Sequence, residues 1–278
     1  MQQQKTLEQL QLKDDFMFGA VMRDPKKCKP LLEQILGVKI REIRYPEVQK
    51  IIDNTMDAKS VRLDVYVEDD RDTVYNIEMQ TTDKRNLPKR MRYYQGMIDM
   101  NILNKGVDYY ELKKSYIIFI CDYDAYGKGR HIYTFENVCM EEPQMHFGDE
   151  AIKLVLNTKG TADDVSEELR DVLHYIGGEK PTGKLAVLLD EGVREVKNSE
   201  DWRREYMTLL MRDREKMKLG ASALLVSLIR QKYEKGKSAN TIANEIERDV
   251  VYVDRIISVI ENHPDWDDVD IASELVEE

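Results

Sequence analysis

Two seven-residue stretches constrain this chain more than any other feature. Val61-Arg62-Leu63-Asp64-Val65-Tyr66-Val67 and Val74-Tyr75-Asn76-Ile77-Glu78-Met79-Gln80 alternate with a period of two, and the polar stretch Glu68 to Asp72 lies between them. That pattern reads as an antiparallel β-hairpin in which each strand has one apolar and one functionalised face. Val61, Leu63, Val65 and Val67 point one way and Arg62, Asp64 and Tyr66 the other; across the turn, Tyr75, Ile77 and Met79 oppose Asn76, Glu78 and Gln80. A turn centred on Arg71 sets Asp64 directly opposite Glu78, with Cβ atoms about 4.5–5.5 Å apart, and like charges so paired destabilise a sheet unless a cation sits between them. Two hard oxygen ligands on a rigid scaffold suit Mg²⁺, which keeps several waters and takes one or two protein carboxylates beside substrate phosphate. Geometry alone leans the other way, to a solvated hairpin face whose acids Arg62 neutralises.

The flanking segments place this hairpin in an α/β core. Asp14 is suited to cap a helix carrying Phe18, Val21 and Met22, and a second short helix, Leu31 to Leu36, lies between the prolines Pro25 and Pro30 and the terminating Gly37. Ile40 to Tyr45 and Val48 to Ile52 read as extended. After the hairpin, Met91, Tyr94, Ile98 and Ile102 have helical spacing, ending near Gly106, and Tyr116 to Cys121 is a continuous β-prone run expected to be buried on both faces. The order is αβββαβ, a mixed sheet flanked by helices. Past Leu156 to Gly160 the strand signal disappears and helical stretches follow, so the expected division is a core domain over 1–160 and an all-helical region over 161–278. The acidic tail from Pro264 is expected to be loosely held.

Composition removes several function classes. A net charge of −11 and a pI near 5.1 argue against a protein that coats nucleic acid non-specifically, although a local basic strip is compatible with them. Cys28, Cys121 and Cys139 are odd in number and widely spaced, which indicates neither a disulfide framework nor a zinc site and fits a reducing cytoplasm. The sequence has no run of 18 apolar residues and its first residues form no apolar leader, so no membrane role is expected. His131, His146, His174 and His263 are scattered without ligand spacing, and there is neither a Ser-His-Asp grouping nor a Walker or GxGxxG loop.

Several phrases carry a resemblance. Asp64, thirteen intervening residues and then Glu78-Met79-Gln80, set on strands after an opening helix, resemble the PD-(D/E)XK nuclease motif. With Lys13-Asp14-Asp15-Phe16-Met17-Phe18 and Arg92-Tyr93-Tyr94 through Gly106-Val107-Asp108-Tyr109, the stretch from residue 10 to 160 resembles the Rpn group of recombination-promoting nucleases, also described as PD-(D/E)XK nuclease family transposases. The resemblance implies a restriction-endonuclease-like core and hydrolysis of DNA phosphodiesters with Mg²⁺ or another divalent cation, in recombination or mobile-element settings. It implies Asp64, Glu78 and Gln80 as catalytic residues, with Asp64 and Glu78 on the metal. The third motif position is a lysine in most of the wider superfamily and Gln80 here, so it can orient water but brings no positive charge; the Rpn group commonly has this Glu-x-Gln arrangement. An opening-helix carboxylate often joins the metal in the superfamily, which nominates Asp15 against a plain helix-capping role.

Chain order puts Lys84, Arg85, Lys89, Arg90 and Arg92 beside the strand of Glu78, where they could hold DNA phosphates, and Arg92, Gln95 and Asp99 read as one polar helix face lining a groove. With Arg62, these form the candidate DNA-binding set; a solvated face would have the same pattern. In the C-terminal part, Ser238 to Glu247 and Val251 to Ile260 have helix-turn-helix spacing, with Ile242, Ala243, Ile246, Val253, Ile256 and Ile257 as interior candidates. Glu245, Glu247, Asp249 and Asp254 make its surface acidic, which favours an interaction or homodimerisation role over DNA docking. Leu209, Leu210, Leu224, Leu225 and Leu228 are expected to pack internally. The rival functional reading is a catalytically weak or inactive nuclease-fold module that acts through these helices; RNA as the substrate is a third.

Overall fold

One aspartate ties down the turn that makes the hairpin. In the computed structural model, which describes residues 5–44, 47–52, 61–103 and 106–276, Asp69 Oδ1 accepts from the backbone N–H groups of Arg71 and Thr73, both at 2.9 Å, and Tyr75 donates its hydroxyl to Oδ2 at 2.7 Å. Asp72 takes the left-handed backbone (φ 60°) that the tight return requires. The strands that leave this turn, β2 (Val61–Glu68) and β3 (Val74–Gln80), pair antiparallel with Val65 opposite Ile77 and Tyr66 opposite Asn76. The same register, continued by one residue, sets Asp64 against Glu78, as the turn at Arg71 predicts.

Around the hairpin the sheet grows to six strands, in the order β1-β2-β3-β4-β6-β5, where β1 is Glu47–Ile52, β4 Ser115–Cys121, β5 Ile132–Phe135 and β6 Ala151–Asn157. β1 pairs antiparallel with β2; β3, β4 and β6 run parallel; β5 returns antiparallel to β6. The sheet is therefore mixed, and β3 lies inside it with every residue buried. The parallel register puts Asn76 beside Ile117, Glu78 beside Phe119 and Gln80 beside Cys121. Ile117, Phe119 and Cys121 pack with Leu87, Met91, Tyr94 and Ile98 of helix α3 (Leu87–Ile102). The functionalised face of β3 is thus roofed by α3. Burying Met91, Tyr94 and Ile98 contributes on the order of 1.5–3 kcal/mol each, so the roof is firmly held.

Two strands, β5 and β6, are missing from the reading of the sequence; β6 is a short apolar run that periodicity cannot tell from buried helix. Helix α1 (Asp15–Met22) starts at Asp14, whose side chain bonds Lys5 and the Gln11 N–H and makes no cap bond, and α2 is longer than expected, Pro25–Leu36, with Pro30 inside it. The chain forms two compact units, Met1–Arg203 and Arg204–Glu278. Helices α4 (Glu167–Ile176) and α5 (Lys184–Asn198) pack on one another and on α1 and α2 within the first unit. The change of composition near residue 160 therefore marks the end of the sheet, not of the unit.

The second unit contains most of α6 (Glu200–Glu234), with α7 (Ala239–Ile246), α8 (Val250–Asn262) and α9 (Asp268–Val276). Val226, Ile229, Ile242, Ala243, Val253, Ile256, Ile257 and Ile271 form its core, with Ile246 half-buried. Two expectations fail here. The tail is not loose: α9 inserts Ile271 and Ala272, both fully buried, and Arg230 donates to Asp268 Oδ1 at 2.8 Å and to the Trp266 carbonyl at 2.9 Å. Leu224 and Leu228 do not pack internally; they are 74% and 41% exposed. Among the described residues no helix is long and apolar enough to cross a membrane.

Candidate metal centre

Beyond the Val65–Ile77 pair the hairpin is held by its two acids. The Asp64 backbone N–H donates to Glu78 Oε1 at 3.0 Å, and the Met79 N–H donates to Asp64 Oδ2 at 3.0 Å. Each carboxylate thus reaches across to the other strand's main chain, and the two side chains converge on one point of the sheet. Glu78 is completely buried and Asp64 is half-buried. Burial, followed by the negative charge of Asp64, pushes the Glu78 carboxyl well above the usual carboxylate range, and the Asp64 N–H and the Arg90 guanidinium offset only part of this. A second acid forced against a buried one is a costly arrangement that a cation relieves.

Arg90 closes the far side. Its Nη2 lies 3.4 Å from Glu78 Oε2, its Nη1 donates to Gln80 Oε1, and its Nε donates to the Tyr94 hydroxyl at 2.9 Å. The guanidinium also sits 5.1 Å from the centroid of Tyr94 and 5.2 Å from that of Phe119. Burial alone would weaken its charge, but the Tyr94 hydroxyl and the two carboxylates hold its pKa above the ordinary arginine value. Gln80 turns its amide N–H toward the Thr82 carbonyl, so both ends of this side chain are engaged.

The other candidate residues divide sharply. Lys84, Arg85, Lys89 and Arg92 are exposed, and Arg85 stands in the left-handed region (φ 53°) in a turn whose N–H bonds Asp83. Gln95 is not on a groove: it is buried and donates to Asp99 Oδ1 and Ser115 Oγ, both at 2.8 Å, because its place four residues after Met91 turns it toward the sheet. Asp15 is exposed at the first position of α1, and among the described residues no three His, Cys, Asp or Glu side chains gather where they could hold a metal. The Arg62 side chain lies outside the described residues.

One group escaped the reading of the sequence. Asp122, directly after β4, accepts from Lys13 Nζ and Thr158 Oγ, each at 2.8 Å, and pairs with Lys159 at 3.1 Å, while its N–H donates to the Gln80 carbonyl at 3.0 Å. Burial would raise its carboxyl, but these donors outweigh it and hold the group below the usual range. The network ties the ends of β3, β4 and β6 to the segment before α1, and it explains why a lysine opens the Lys13-Asp14-Asp15-Phe16 phrase. Distance along the chain hid it.

A sequence model of the PD-(D/E)XK nuclease family transposases matches residues 13–151, half of the chain. The chain belongs to that family. No curated protein and no solved structure matches it. The matched region of this PD-(D/E)XK family member contains the hairpin, α3, β4 and the start of β6. The two hairpin acids and Gln80 lie within the matched residues. The donor set also fits the divalent ion that such a fold implies: hard carboxylate oxygens from adjacent strands, one of them fully buried and held above the usual carboxylate range even with Arg90 at 3.4 Å. Both acids are needed for that fit.

Proposed function

We propose that this chain is a divalent-metal-dependent nuclease that hydrolyses phosphodiester bonds in DNA, with Mg²⁺ as the ion and recombination or element mobility as the setting. The observation that supports this most is the convergence of Asp64 and a fully buried Glu78, each bonded across to the other strand's main chain at 3.0 Å. Asp64 and Glu78 would hold the ion. When bound, such an ion lowers the pKa of a water and neutralises charge on the phosphate. The chain's own residues do the rest: Gln80 is fixed at the edge of the acid pair, and the exposed Lys84, Arg85, Lys89 and Arg92 take backbone phosphates as the strand crosses the start of α3. In the net reaction the water oxygen bonds to phosphorus, one P–O ester bond breaks, the leaving oxygen is protonated, and the water proton passes to solvent.

With a net charge of −11, affinity depends on this small basic strip, so log affinity should fall against log salt with a slope of about −3 to −4. The free state of Cys28, Cys121 and Cys139 supports a reducing, cytoplasmic setting. The second unit would serve association, with the exposed Met211, Met217 and Leu224 of α6 as contacts for a second copy. A second reading, a binding module with relic acids, is favoured by the neutral Gln80. Incubation of purified protein with supercoiled plasmid separates the two. Mg²⁺-dependent nicking that EDTA, Asp64→Ala and Glu78→Ala each abolish, with the fold intact, is the expected result; undiminished nicking by both variants rejects the site. A parallel RNA substrate reports on the sugar preference.

A further inference from the structure

The third motif position raises a physical problem: Gln80 is neutral, so nothing on β3 supplies positive charge where negative charge builds up on a phosphate during cleavage. Three observations bear on it. Arg90 reaches from α3 to both neighbouring motif residues, with Nη1 on Gln80 Oε1 and Nη2 at 3.4 Å from Glu78 Oε2. Its position is fixed from behind, through the Nε bond to the Tyr94 hydroxyl at 2.9 Å and the flanking rings of Tyr94 and Phe119. Its side chain keeps 29% of its surface open. A guanidinium has five N–H donors in a planar fork, and these contacts use three of them. One N–H on each terminal nitrogen remains for a further partner, and the planar fork matches phosphate oxygens.

Resting on the nuclease reading above, we propose that Arg90 is a catalytic residue: it supplies from helix α3 the positive charge that Gln80 lacks, donating to the oxygens of the scissile phosphate while Gln80 holds it in place. Gln80 thereby acquires a role that a neutral amide can fill, as an acceptor that aims the guanidinium. Arg90 also stands apart from Lys84, Arg85, Lys89 and Arg92, which are exposed and suited to general phosphate contact; it alone among these is fastened to the acid pair. A partly desolvated cation with a fixed position stabilises developing charge far better than a solvated one.

A counter-ion that merely neutralises Glu78 would sit in the same place, so the test must separate the two roles. Full-length protein is compared as wild type, Arg90→Met, Arg90→Lys and the double variant Gln80→Lys/Arg90→Met. The readouts are single-turnover cleavage with Mg²⁺, affinity for a duplex with non-activating Ca²⁺, and the thermal shift caused by metal. Arg90→Met is expected to slow cleavage by on the order of 10²–10³-fold, the scale for loss of one preorganised charge donor. Duplex affinity and the metal-induced shift should change less than about threefold in the same variant. Arg90→Lys should fall between, and the double variant, with its cation returned to the third motif position, should recover at least about tenfold. Cleavage by Arg90→Met within about threefold of wild type overturns the assignment. So does parallel loss of metal response and cleavage with no recovery in the double variant, since that marks a structural counter-ion. If the unaltered protein cleaves neither DNA nor RNA with any divalent ion, the nuclease reading itself fails, and this assignment with it.

Discussion

Replacing Glu78 by glutamine tests the frustrated acid pair without disturbing its shape. The amide keeps the volume of the side chain and an oxygen that can accept from the Asp64 N–H, the 3.0 Å bond that closes the hairpin beyond Val65. What it removes is the charge that burial and Asp64 disfavour. With EDTA present, the variant should therefore be at least as stable as the wild type at neutral pH and above, where the buried carboxyl is hardest to accommodate. Metal reverses the order. At about 100 times its dissociation constant, an ion that binds only the folded state adds about 2.7 kcal/mol. For a cooperative unit of this size each kcal/mol raises Tm by roughly 2–4 °C, so the wild type should gain about 5–11 °C. Glu78→Gln should gain less than about 1 °C under the same conditions, because one of two carboxylate ligands is gone. Differential scanning fluorimetry in EDTA, Mg²⁺ and Ca²⁺ reads all of this in one plate. A metal-induced rise in Glu78→Gln as large as in the wild type would rule out Glu78 as a metal ligand, and a metal-free variant much less stable than its parent would show that the buried charge is not frustrated.

Two further outcomes follow from the same geometry. Because the folded state holds the Glu78 proton above the pH at which the unfolded chain releases it, the stability of the metal-free protein is fully present below the ordinary value of 4.5 and falls as pH rises toward the folded pKa; urea unfolding in EDTA between about pH 5 and 8 should record the decline in wild type and a flatter profile in Glu78→Gln. Asp69→Ala removes the acceptor for the Arg71 and Thr73 N–H groups and the Tyr75 hydroxyl; with unsatisfied buried donors costing about 1–3 kcal/mol each, a loss of roughly 2–5 kcal/mol is expected in urea unfolding, and a loss below about 0.5 kcal/mol would show that the turn is held by other means.

The hairpin was legible because a strict period of two assigns every side chain to a face, and because a polar turn of fixed length sets which residues oppose each other. Asp64 and Glu78 follow from that pattern together with the family phrases. The depth of Glu78 does not, since it depends on α3 folding over β3, and nothing local in either segment states that contact. Arg90 shows the same limit: in sequence it is one of five basic residues. Its spacing four before Tyr94, on the buried stripe, was the available sign that it turns inward, and the same rule applied from Met91 places Gln95 against the sheet. Asp122 and Lys13, 109 residues apart, illustrate contacts that only the parallel crossover creates. In the second unit the apolar pattern identified most core residues of α7 and α8, but it could not tell which leucines of α6 find a partner. Nor did the acidic composition of the tail reveal that Ile271 and Ala272 anchor it.

Cleavage at this site requires that Asp64 and Glu78 share one divalent ion. Anomalous diffraction from crystals of the full-length protein soaked in Mn²⁺ tests it most directly. A peak within bonding distance of both carboxylates, absent from Glu78→Gln crystals soaked alike, is the expected result; manganese bound elsewhere, with neither Asp64 nor Glu78 among its ligands, would contradict it.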